Sequence, residues 1–271
     1  MWPEAAGVIR IAALLQRYLC LHRRSLIRAF DIFFWPVMDL LIWGFLTVYL
    51  QRELAPGPVA SLVIFLIGAM ISWDIHYRGQ QAVTISLMEE IWTRNVVNLL
   101  IAPIRLWEWI AATFLYGALK VGIVTALLML LAHGLYAYDL ARVGWAFAPL
   151  AANLLLCGWA IGIATAGLLL RFGYAAEALI WGIPFLLQPF SCVFYPLDAL
   201  PGWAQLIARG LPSTYVFEAL RTVLRDGSVA GMVWLPILGL NALYLAVGIA
   251  CFVWLFRLAR STGRLGHLGQ D

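Results

Sequence analysis

A chain that repeatedly strings together about 20 residues with almost no charge can fold in few ways, because a helix of that length matches a hydrocarbon core roughly 30 Å thick. Six such windows occur, running from Phe30 to Leu50, Val59 to Tyr77, Trp107 to His133, Val143 to Leu170, Glu177 to Tyr195 and Val229 to Phe256. Polar or Pro/Gly-bearing breaks separate them, the longest from Arg78 to Leu106 and from Pro196 to Ser228. The composition agrees: 63% hydrophobic and only 12% charged residues leave too little charge to clothe a soluble globule. The 13 Trp suit interfacial aromatic belts. Disordered, collagenous, secreted-disulfide and cytosolic-enzyme classes are excluded together.

The basic residues report topology, since they sit beside apolar spans rather than in one patch. Arg10, Arg17, Arg23, Arg24, Arg28, Arg78, Arg94, Arg105, Arg171, Arg257, Arg260 and Arg264 lie on the side of the N-terminus, against Arg52, Arg142, Arg209, Arg221 and Arg225 on the other. Both termini are expected in the cytoplasm. No cleavable signal is expected, because Arg10 and Arg17 interrupt the apolar run from Val8 to Leu21. On a helical wheel Val8, Leu15, Leu19 and Leu26 form a stripe opposite Arg10, Arg17, Arg24 and Arg28, which predicts an in-plane amphipathic helix with its cations at the headgroups. A plain positive-inside flank is the alternative.

Catalytic chemistry finds little support. No G-x-x-x-x-G-K-[ST] loop is present, and the four His and four Cys show no metal-ligand spacing or disulfide framework. The intramembrane charges Asp39 and Lys120 sit at similar depth in the first and third spans and are predicted to form a buried pair, structural or in contact with substrate. Asp74, His76 and Arg78 read as snorkelling groups at a span end. Ser86 to Leu100 reads as a surface helix made to dock on something, with Glu89, Glu90 and Arg94 among its apolar residues and Pro103 beyond it; an amphipathic helix on the leaflet is the alternative. Trp203 to Arg209 and Tyr215 to Leu224 are short helical runs, too polar to cross and apolar enough to dip back, with Glu218 and Arg221 spaced to pair at i, i+3. Small residues at four-residue spacing in the fourth span (Gly158, Gly162, Ala166) and the sixth (Ala242, Ala246, Ala250) are assigned to packing within one subunit.

Six spans, a basic in-plane helix, a long first inner loop and an apolar outer segment together resemble the permease subunit of type-2 ABC exporters. The most specific motif is F-Y-P-L-D-A-L-P-G-W followed by L-P-S-T-Y-V-F-E-A-L-R, where Pro196, Leu200, Pro201, Trp203, Leu211, Pro212, Glu218 and Arg221 match the family's pattern. Glu90, Pro103 and Glu108 match its coupling region, although Arg94-Asn95 stands where the family has Gly-Thr and Val97 where it has an acid. The resemblance implies an all-α integral membrane fold. An amphipathic interfacial helix would span 1–29 and a six-helix transmembrane domain 30–256, with a cytoplasmic coupling loop at 78–106, an outer re-entrant segment at 196–228 and a cytoplasmic tail at 257–271. It also implies two cytoplasmic ATPase subunits holding ATP and Mg, a second permease copy or close relative, and no cofactor or metal in this chain. Cargo would be a lipid, glycan-lipid, drug or peptide moved outward across a bacterial inner membrane. Coupling is assigned to Glu89, Glu90, Arg94 and Pro103, the substrate path to Trp35, Asp39, Trp43, Gln188 and Ser191, and the dimer interface to the first and fifth spans. A channel or assembly component without an ATPase, and a membrane-embedded enzyme, are the competing readings.

Overall fold

A computed structural model describes residues 3–23, 26–53, 58–138, 144–227 and 231–262. The expectations for Arg24, Arg142, Arg264 and Val229 lie outside these residues, as do those for the side chains of Leu26 and Arg28. All regular structure among the described residues is helical. It comprises α1 (Pro3–Arg23), α2 (Leu26–Glu53), α3 (Pro58–Trp92), α4 (Val96–Ile101), α5 (Leu106–Tyr136), α6 (Phe147–Phe172), α7 (Glu177–Leu187), α8 (Gly202–Arg209), α9 (Pro212–Asp226) and α10 (Trp234–Ser261), joined by short 3-10 turns. Among the described residues, four stretches rather than the six expected are long and apolar enough to cross a bilayer: Phe30–Glu53, Leu106–Tyr136, Gly144–Ser191 and Trp234–Ser261.

The break expected at Arg78 does not exist. α3 continues through it as one helix of 35 residues, about 52 Å long at 1.5 Å per residue. Residues 78–85 contain no proline, and Gly79 sits against Leu155 of α6, so polarity alone could not end the helix. The helix stops instead at a turn over Thr93–Asn95, where Arg94 adopts a left-handed φ of 54°.

α6 is the central element, packed along α3 on one side and α10 on the other. Backbone approaches are close because glycines face the neighbours. A Cβ at Gly158 would collide with the His76 carbonyl and lie 2.9 Å from the Gln80 nitrogen, and one at Gly248 would collide with the Ala160 carbonyl. Small residues permit this spacing, and helix association in a bilayer depends on such close packing. The Gly158/Gly162 stripe therefore packs within one subunit, as expected. The α10 stripe does not: Ala242, Ala246 and Ala250 are exposed, and α10 meets α6 through Gly248 and Asn241, whose amide donates to the Asn153 side chain at 3.0 Å. Alanine periodicity at four residues marked a helix face, but glycine, with no Cβ, made the closer contact.

Two apolar clusters fill the bundle. One, nearest α9, joins Leu40, Ile67, Val124, Leu128 and Phe217; the other, nearest α1, joins Tyr18, Met88, Ile91, Trp109 and Phe252. α3 threads both, and the buried polar residues Asp74, His76, Arg78, Gln80 and Gln81 lie on it between them.

Candidate functional site: two clasps and a polar waist

At the α1 end, two arginines clasp helices distant in sequence. Arg17 donates both terminal guanidinium nitrogens to the carboxylate of Glu90, the second at 2.8 Å, and Arg10 donates to Glu108 at 3.1 Å. Both carboxylates are 1% exposed while the arginines are about one-third exposed, so each acid is buried under its cation. The Glu90 hydrogen bonds hold the Arg17 guanidinium above its ordinary pKa despite partial burial. Glu90 also accepts from the Asn95 amide at 2.6 Å, fastening the turn after α3, and Glu108 accepts from the Arg105 backbone at 2.8 Å, capping the start of α5. Tyr18 is fully buried and accepts from the Trp109 indole at 3.0 Å; burial raises its phenol pKa and keeps it protonated.

This geometry corrects two expectations. Glu90 is not a surface charge but a buried one, because α3 carries it under α1. The arginines of α1 do not all reach headgroups: Arg10 and Arg17 turn inward to buried acids, Leu14 and Tyr18 form the buried face, and Val8 and Leu19 are exposed. A buried carboxylate without a counter-ion is costly, which decides the orientation of the helix. Among the other coupling residues, Glu89 is half-buried, while Arg94 and Pro103 are exposed on either side of α4.

At the opposite end the Pro196–Arg221 motif folds into a second clasp. Pro212 begins α9 at a position where its missing N–H is no loss, and Pro201 precedes α8. Glu218 and Arg221 form the expected i, i+3 pair at 2.8 Å. Arg221 reaches further: it donates to the carbonyls of Cys192 and, at 3.1 Å, Val193, and its guanidinium lies 4.5 Å from the Phe65 ring centroid. Glu218 accepts from the Leu197 backbone at 2.9 Å. One residue pair thus holds the end of the fifth predicted span, the 3-10 turn after Pro196 and α3 together. Trp203 of α8 is exposed and edge-on to Phe190.

The expected path residues diverge. Trp35 and Asp39 are exposed on α2, where the Trp35 indole donates to Asp31 at 3.0 Å. Trp43 stacks on Phe194 with ring centroids 4.3 Å apart, and Gln188 is half-buried. Ser191 is fully buried, donating to the Leu187 carbonyl and accepting from Ser213 at 2.9 Å, so it presents no surface to a path.

The Asp39–Lys120 pair is not formed. Lys120 instead lies 5.7 Å from the Tyr116 ring centroid, and the buried ion pair of the region is Asp74–Arg78 at 2.8 Å. A similar count of residues into two spans does not by itself turn two side chains to one face. The i, i+4 spacing of Asp74 and Arg78 was the legible signal, since it sets both on one side of a helix. Their burial follows from α3 continuing past Arg78 against α6, where snorkelling is not open to them. The Gln80 amide beside them has neither donor nor acceptor partnered among the described residues.

The sequence profile of the ABC-2 family transporter proteins matches residues 51–258, well over half of the chain. The chain belongs to that family. It is a multi-pass membrane permease, a transport component that is not itself catalytic. The match spans the α3 end, α4 and the whole of the α8–α9 clasp, so both clasps of the permease have one partner or both inside the family region. No curated protein sequence matches the chain.

Proposed function

We propose that this permease is half of an ATP-driven exporter for a hydrophobic or amphipathic cargo, working with a second permease and two cytoplasmic ATPase subunits that hold Mg and ATP. In this reading the chain crosses a bacterial inner membrane six times with both termini in the cytoplasm, and α8 and α9 dip into the outer leaflet as a re-entrant segment. Apolar α8 residues Trp203, Leu206 and Ile207, all exposed, support that depth.

The observation that carries the reading is the clasp of α1 onto α3 and α5. Two ion pairs and a buried Tyr18–Trp109 bond make α1, the turn at Asn95 and the start of α5 one body. A push on exposed Arg94 and Pro103 around α4 is therefore delivered to the long helices rather than absorbed in a loop. Cargo would pass along the α2 face bearing Trp35 and Asp39, with Trp43 and Gln188 toward its end.

Affinity purification of the tagged permease should bring down a P-loop ATPase, and Arg94→Glu should weaken that association or its stimulation of ATP hydrolysis while leaving the permease folded. Charge changes at exposed positions alter stability by only about 0.5 kcal/mol. If no ATPase accompanies the intact permease, the channel or assembly reading replaces this one. A Cys placed at Gly202 should be labelled from outside; labelling only after permeabilisation would invert the topology.

A further inference from the structure

A cavity of about 160 Å³ opens beneath α4, walled by Leu99, Trp109, Leu170, Phe252 and Phe256, with Arg105 as its charged lining residue. Apolar cavities near 150 Å³ stay dry and take a small hydrocarbon, so the volume suits a segment of one acyl chain rather than a drug-sized ligand, for which about 300 Å³ or more is usual. Phe252 and Phe256 are one turn apart on α10, and Arg260 follows at the same spacing on the same face. Arg105 lines the apolar hole and Arg260 follows one turn beyond it; both are exposed and have no ion pair among the described residues, so their guanidinium groups are open to an anion. The surrounding elements expose Trp92, Ile101 and Trp107, residues of the kind that settle at a bilayer interface.

We propose that this cavity is a lipid site, in which one acyl chain of an anionic phospholipid enters between α4, α5, α6 and α10 while its phosphate is bound by Arg105 and Arg260. The chemistry matches at both ends: hydrocarbon against Leu and Phe, phosphate against guanidinium. A lipid seated there would lie behind α4 and fill the space between α4 and the α6–α10 pair. The site does not depend on the cargo or on an ATPase.

Native mass spectrometry of the purified chain, titrated with dioleoylphosphatidylglycerol and separately with dioleoylphosphatidylcholine, tests it. Leu99→Trp, which fills the cavity, should remove one retained phosphatidylglycerol per chain, and Leu170→Phe should do the same by filling the opposite wall. Leu243→Trp, on an exposed face of α10, should remove none. Arg105→Gln and Arg260→Gln should each weaken phosphatidylglycerol about five-fold, as expected for ~1 kcal/mol per basic residue near a membrane surface, and leave phosphatidylcholine unchanged. An unchanged lipid count in monodisperse Leu99→Trp and Leu170→Phe proteins would overturn the proposal. So would retention that appears only after deletion of residues 263–271, since that result would make the chain's own tail the occupant.

Discussion

The two clasps use the same chemistry, an arginine and a glutamate, in opposite ways. At the α1 end each pair joins residues 73 or 98 positions apart, and the charge pairing is itself the joint. At the α8–α9 end the pair lies within one helix turn, and the joint is made by what remains of the arginine: its second nitrogen on the Cys192 and Val193 carbonyls and its face on Phe65. The first clasp needs two opposite charges; the second needs one planar, multi-donor cation at one place. Charge swaps distinguish them.

The largest effect is expected at Glu90. Glu90→Ala removes the counter-ion of Arg17 and an acceptor for Asn95, and breaking one side of a buried ion pair typically costs ~3 to 5 kcal/mol, less here because Arg17 keeps some solvent. The folded fraction in detergent should fall sharply, and the double swap Arg17→Glu with Glu90→Arg should recover part of it. A swap no better than Glu90→Arg alone would show that the α1 clasp is not simply charge pairing.

Arg221→Ala should cost about 2 to 3 kcal/mol, from unpaired carbonyls and a carboxylate left without its cation. Here the swap Glu218→Arg with Arg221→Glu should rescue nothing, because a carboxylate at 221 cannot donate to the Cys192 and Val193 carbonyls. Thermal melts of the single and double variants read this directly, and rescue would erase the contrast between the clasps. Arg221→Lys should fall between wild type and alanine, since lysine keeps the charge but loses the fork.

The smallest effect is expected at Arg225 and Asp226, an exposed neighbouring pair at 2.8 Å. Arg225→Ala should leave the melting temperature unchanged within error, because exposed ion pairs contribute little. A measurable loss would mean that this surface is covered in the assembled transporter.

Four long apolar stretches, the short helices after Pro196 and the Glu218–Arg221 pair were readable because each depends on residues close in sequence: apolar length, a proline at a helix start, a spacing of three. Counting residues into each span assigned Asp39 and Lys120 a similar depth, but depth along a helix says nothing of azimuth. Whether two helices turn those residues together depends on rotations set by all their other contacts. Thus composition and periodicity by themselves determined that this chain is a helical membrane protein with a structured apolar segment near its C-terminal third. The tertiary structure decided that α3 runs on past Arg78, that Glu90 is buried, and that Arg10 and Arg17 face inward. Each of these rests on contacts between residues more than 70 positions apart, such as Gly79 against Leu155 and Arg17 against Glu90. Local sequence carries the cost of burying a charge, but only packing brings its partner within reach.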